Sequence, residues 1–206
     1  LALRMGELPR ARQLIGEWRR RTHDHSSSSE VARLAIEEAL VAAHRNVFGV
    51  IFWYLLLPGP SGAILYRLAC FLNEEWGART SPDFGRFGDF AARAFAILDW
   101  VPLRLTAAAF SVVGDFEDAV YCWRAQANQW TDKAAGILLA SGGGALGVRL
   151  GMPIQESGEV LERPEMGIGD DADADFMQST IGLIWRTLVL VFLLMALLGV
   201  AGWVGN

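Results

Sequence analysis

At 206 residues, the chain has room for one domain or a small pair. Its 52% apolar content and eight tryptophans fit either a globule with a large core or a membrane protein. The formal net charge is −5 and unevenly spread: residues 1–21 carry six arginines against two glutamates, whereas Gly169–Asp175, GDDADAD, is acidic. No basic stripe interleaved with aromatics is present, which argues against a nucleic-acid partner.

Leu1–Arg21 has the composition of a surface helix and ends in a run of three arginines. His23–Ser29, HDHSSSS, is linker-like. His23 and His25 have only Asp24 beside them, too few groups for a metal site. Glu30–Asn46 reads as a helix, with Val31, Leu34, Ala35, Leu40 and Val41 near helical spacing, Ser29 as N-cap and Glu30 in the first turn.

The helix runs into Val47–Leu57, apolar all round, before Pro58-Gly59-Pro60-Ser61-Gly62 interrupts; Ala63–Leu72 resumes the pattern. A kinked span and a helical hairpin that dips in and returns compete for Val47–Leu72. The hairpin is preferred, because a prolyl-glycyl break in lipid is costly unless protein covers its freed backbone groups. Asn73–Phe90 reads as a polar loop with a turn at Thr80–Asp83. Ala91–Val113 is again apolar but contains Arg93, Asp99 and Arg104. Pro102 is expected to break it, bringing Asp99 and Arg104 together as an ion pair, since charges in such a stretch must face a cavity, an interface or each other.

Gly114–Lys133 reads as a short amphipathic helix. The glycines at 142–144 and in the following ALGVRLG lack the Gly-Lys-Ser/Thr of a phosphate-gripping Walker loop; close helix packing is their expected use. Met152–Met166 reads as a loop. DDADAD lacks the glycine and final glutamate of a calcium loop and is expected to cap a helix. Cys70 and Cys122, without a CxxC or a neighbouring histidine, read as buried free thiols. Thr187–Val204 is uncharged for 18 residues, about 27 Å of helix, between Arg186 and Trp203; it reads as a membrane span.

Several of these stretches are familiar. Ile97–Gly114 (ILDWVPLRLTAAAFSVVG), followed by Glu117-Asp118-Ala119 and Trp123, resembles the AmpE membrane proteins, as does Phe52-Trp53-Tyr54. Gly144–Gly151 (GALGVRLG) with Asp83-Phe84-Gly85, and Gly6–Glu17 (GELPRARQLIGE), resemble the CobD/CbiB cobalamin-biosynthesis proteins. The resemblance implies membrane helices upstream of Leu1. It also implies one of two activities: ATP-dependent joining of an aminopropanol-type moiety to adenosylcobyric acid, or the regulatory role of AmpE proteins. Where the enzymes carry a Glu-Asn pair and an Asp, this chain has His44, Arg45 and Phe48. Where they carry Asn-Ala-Gly-Trp-Pro-Glu, it has Ala134–Leu139. Apolar and cationic groups of that kind build no oxygen-ligand magnesium site.

The expected fold is thus all-α, an integral membrane protein with amphipathic and re-entrant helices and a C-terminal transmembrane helix. The expected parts are a basic segment with its linker (1–29), a membrane-associated helical region (30–186) and the terminal helix (187–206). Expected partners are the lipid bilayer and other membrane proteins, in the inner membrane of a bacterium. Arginine bias places Ser26–Ser29 inside and Asn206 outside. The resulting expectation is a regulatory or accessory component with no catalytic residue, metal or cofactor. Its rivals are the synthase, for which Asp83 and Glu37 would be replacement ligands, and a subunit of a larger membrane complex. Candidate family-motif or ligand-binding residues are Asp83, Gly85, Asp99, Arg104, Gly144, Gly147 and Arg149.

Overall fold

The computed structural model describes residues 2–19, 26–57, 59–77, 85–156 and 159–204. Eight α-helices are described: α1 (Leu8–Arg19), α2 (Ser28–Ala43), α3 (Gly49–Leu56), α4 (Ser61–Trp76), α5 (Gly85–Val113), α6 (Phe116–Gln126), α7 (Lys133–Leu146) and α8 (Ala174–Val204). Between α7 and α8 lie five short strands, β1 (Val148–Gly151), β2 (Ile154–Glu156), β3 (Glu159–Leu161), β4 (Glu165–Gly167) and β5 (Asp170–Asp171). The protein is an all-α membrane protein with a small sheet added. Among the described residues, three helical stretches are long and apolar enough to cross a membrane: Ser28–Leu56, Gly88–Val113 and Ala174–Trp203. The chain divides into two compact units, Leu1–Val41 with Ala107–Asn206, and Ala42–Thr106.

In the first unit, α1 buries Ala11 and Ile15 against Val31, Leu34 and Ile154. The cap of α2 is Ser27 rather than Ser29: Ser27 Oγ accepts from the Glu30 N–H at 3.1 Å, and the Glu30 carboxylate accepts from the Ser27 N–H at 2.7 Å. This reciprocal capping box satisfies two donors that a bare helix end leaves open. Ser27→Ala is expected to cost about 1 kcal/mol, read as a lower denaturant midpoint with an unchanged slope.

The glycines at 142–144 serve the close packing expected of them. A Cβ at Gly144 would stand 2.6 Å from the Asp118 carbonyl oxygen and 2.7 Å from Ala119 Cα, so α6 and α7 meet backbone to backbone. The expected loop at Met152–Met166 instead contains strands. β2 and β3 form an antiparallel hairpin, and β1 lies between antiparallel β4 and parallel β5. Strands of two to four residues show no alternation long enough to read in sequence. The acidic run does cap a helix: Asp173 Oδ1 accepts from the N–H groups of Asp175 and Phe176 at 2.9 Å each. Beyond Thr187, α8 leaves Val189, Phe192, Leu194, Leu198 and Trp203 exposed, as a lipid-facing helix does.

In the second unit, α3 and α4 fold back as an antiparallel helical hairpin. Gly49 lies against the Tyr66 ring and Gly62 against the Trp53 carbonyl, so neither position has room for a side chain. The expected polar loop at Asn73–Phe90 is shorter, because α4 runs to Trp76 and α5 starts at Gly85.

Pro102 does not break α5, contrary to the sequence expectation. A proline in mid-helix normally orphans the carbonyl four residues earlier. Here that carbonyl, Leu98 O, accepts from the Trp53 indole N–H at 3.2 Å.

Candidate functional site

In the first unit, Arg33 and Glu37 lie one turn apart on α2, a spacing that places them on one face. Both are buried, at 5% and 4% exposure. Glu37 accepts from Arg163 at 2.8 and 3.3 Å, a two-pronged ion pair, and from the Gly151 N–H at 2.8 Å. Arg163 also donates to the carbonyls of Gly151 at 2.9 Å and Met152 at 3.1 Å, and its guanidinium lies 5.3 Å from the centre of the Trp130 ring. Gly151 and Met152 both have positive φ, 71° and 64°. That backbone is costly for a methionine and is held here by the two Arg163 bonds. Arg19 lies 3.9 Å from Glu37 and 3.7 Å from Glu38.

Among the described residues the buried Arg33 donates to the Met152 sulfur at 3.3 Å and the Pro153 carbonyl at 3.5 Å, and its Nε has no hydrogen-bond partner. Arg19, Arg33 and Arg163 thus gather around Glu37 and Glu38, with the Glu30 and Asp171 carboxylates also acting on Arg33; guanidiniums of this kind suit an oxyanion. Among the described residues no three metal-binding side chains converge.

The motif residues build the way to this cluster. Gly147, at φ 66°, ends α7 with its N–H shared between the Gly143 and Gly144 carbonyls, the left-handed cap for which glycine is suited. The chain then enters β1, which delivers Gly151 to Glu37. Arg149 on β1 donates to Asp171 at 2.9 Å and stands 4.0 Å from Glu165. Gly144 acts in helix packing, Gly85 is the first residue of α5, and Asp83 lies outside the described residues. Gly136–Leu139 are buried in α7. Burial and the nearby Asp118 carboxylate push the Cys122 thiol up to about 11, leaving it protonated and unreactive near neutrality.

The second unit holds a separate buried network. A π-helical turn, His44–Phe48, follows α2, and His44 is only 1% exposed. Its Nδ1 lies 2.9 Å from Thr106 Oγ1 and its Nε2 lies 2.9 Å from Asp99 Oδ1. Tyr66 donates to the same carboxylate oxygen at 2.7 Å. The Thr106 hydroxyl hydrogen goes to the Pro102 carbonyl at 2.9 Å, so this oxygen accepts from Nδ1–H. Nε2 faces the Asp99 carboxylate, so both nitrogens of the His44 ring have a partner.

The expected Asp99–Arg104 ion pair is not formed. Because α5 continues through Pro102, residues five apart project about 140° from each other. Arg104 instead donates to the Trp100 carbonyl at 2.9 Å and lies 4.1 Å over the centre of the Trp100 ring. Arg45 stands 3.5 Å from Glu74, and Phe48 is buried. The pairing of Glu37 with Arg163 was not legible across 126 residues. The available signal was the pair Arg33 and Glu37, charges spaced one turn apart within an apolar helix.

Comparison with known proteins adds the lineage. A family model described as CobD/Cbib protein matches residues 1–184. A cobalamin biosynthesis protein CobD of Stutzerimonas stutzeri is 38% identical over 202 residues, 98% of this chain and 65% of that protein. Proteins of the same description from Chromobacterium violaceum and Yersinia enterocolitica are 37% identical over 185 residues and 30% identical over 207 residues. These cover 90% and 95% of this chain, and 59% and 63% of the relatives. The chain thus spans less than two thirds of the length of the curated relatives it matches. No solved structure matches it.

Proposed function

This chain belongs to the CobD/Cbib protein family, and on that premise we propose that it serves cobalamin biosynthesis at a bacterial inner membrane. The observation that carries the reading is the family match over residues 1–184, joined by relatives described as cobalamin biosynthesis proteins. The activity proposed is the ATP-dependent synthase reaction, amide formation between an aminopropanol-type amine and the carboxyl group of adenosylcobyric acid. Arg19, Arg33 and Arg163 supply positive charge suited to phosphate or carboxylate oxygens. Glu37 and the Gly151 N–H fix where those guanidiniums stand.

A non-catalytic, AmpE-like regulatory role is the second reading. It is favoured by His44, Arg45 and Phe48 and by the apolar stretch Ala134–Leu139, where the enzymes of the family carry acidic and amide groups. Complementation separates the two. A strain lacking its own synthase and supplied with the full-length protein is expected to regain cobalamin-dependent growth. Arg33→Met is expected to lower the yield sharply. Absence of growth from protein that is stably expressed in the membrane would overturn the enzyme reading in favour of the regulatory one.

A further inference from the structure

A cleft of 520 Å³ opens in the first unit and is walled on one side by α8. Asp175, the adjacent Gln178 and Ser179, Gly182 and Arg186 follow one another at intervals of three or four residues and so form one stripe of that helix; all line the cleft, together with Arg4. Arg4 donates to Asp175 at 2.9 Å. The lining carries two guanidiniums and one carboxylate, leaving one positive charge in excess. Arg186 supplies that excess: among the described residues it has neither an ion-pair nor a hydrogen-bond partner. It is also the last charge before the uncharged stretch Thr187–Val204. The cleft therefore lies at the level where hydrocarbon gives way to headgroups. Trp185 and Val189, exposed on the same helix, suit the interface and the acyl region below it.

We propose that this cleft seats the phosphate headgroup of an anionic phospholipid. One excess cation matches one phosphodiester charge. The Gln178 amide offers a donor to its oxygens, and the apolar surface of α8 continues along the path of the acyl chains. Basic pockets beside membrane helices are suited to such headgroups. A zwitterionic lipid would bring a second cation to a site already in positive excess. A free phosphate would lack the apolar contact. The proposal rests on α8 crossing the membrane and stands apart from the synthase reading.

Native mass spectrometry of the full chain released from micelles tests it, with phosphatidylglycerol and phosphatidylcholine supplied in equal amounts. Phosphatidylglycerol adducts should dominate, and glycerol 3-phosphate should not displace them. Arg186→Gln should cut retention about fivefold, as expected for one cation near a lipid surface, and Arg186→Lys should keep most of it. Gly182→Leu is the second variant. An added Cβ there meets nothing within 4 Å, so the side chain grows into the cleft while helix propensity improves. It should abolish retention without lowering the melting temperature. Equal retention of both lipids, or full retention by Gly182→Leu, would overturn the proposal. Displacement by glycerol 3-phosphate would reassign the cleft to a soluble phosphate.

Discussion

Glu37→Gln should destabilise the protein by about 3–5 kcal/mol, the usual loss when one member of a buried ion pair is removed. The glutamine oxygen can still accept from the Gly151 N–H, so the backbone bond at 2.8 Å is kept. The negative charge is what disappears, leaving Arg163 buried at 8% side-chain exposure with Arg33 close by. Adding Arg163→Met removes that orphaned charge and should return a large part of the loss, although the Gly151 and Met152 carbonyls then lose their donor. Chemical denaturation of the two single variants and the double variant in the same detergent gives the coupling energy. Simple additivity would mean that the guanidinium finds compensation elsewhere, and the cluster would lose its claim to be one electrostatic unit.

Asp99→Leu is expected to be comparably damaging in the second unit, again about 3–5 kcal/mol. It strips the acceptor from two buried donors at once, the Tyr66 hydroxyl and His44 Nε2. Tyr66→Phe removes one donor and leaves the His44–Asp99 contact, so its cost should be nearer 1–2 kcal/mol. Adding His44→Leu to Asp99→Leu should recover part of the stability, because the imidazole no longer needs a carboxylate. Nitrogen NMR of the His44 ring offers an independent reading: both ring nitrogens should carry hydrogen-bond signatures in the native protein. If Asp99→Leu costs no more than Tyr66→Phe, the His44–Asp99 contact contributes nothing to stability.

What sequence could reveal followed the range over which each signal acts. The terminal span was legible because 18 uncharged residues leave few alternatives, and the glycines at 142–144 because only close packing gave them a use. The α3–α4 hairpin was legible from the cost of a proline-glycine break in lipid. The small sheet was not, since β1 pairs with β4 and β5 over too few residues to leave a period. The N-cap falls at Ser27 rather than the expected Ser29, because four consecutive serines offer equivalent hydroxyls. Asp99 was singled out correctly as a charge that needs a partner, but its partners were misjudged. Local reasoning paired it with Arg104, five residues away, whereas the folded chain supplies His44 and Tyr66 from other helices. Glu37 and Arg163 show the same limit across a longer separation.

The bond from Trp53 to the Leu98 carbonyl also bears on how the protein is made. A helix carrying Pro102 enters the bilayer with one acceptor open, and hydrocarbon contains no water to fill it. Among the described residues the Trp53 indole of α3 closes that acceptor, so the Leu98 carbonyl is satisfied in lipid once α3 stands beside α5. Synthesis proceeds from the N-terminus, and Trp53 leaves the ribosome before Leu98. The donor is therefore waiting in the membrane when the acceptor arrives, and the order of the chain becomes the order of assembly.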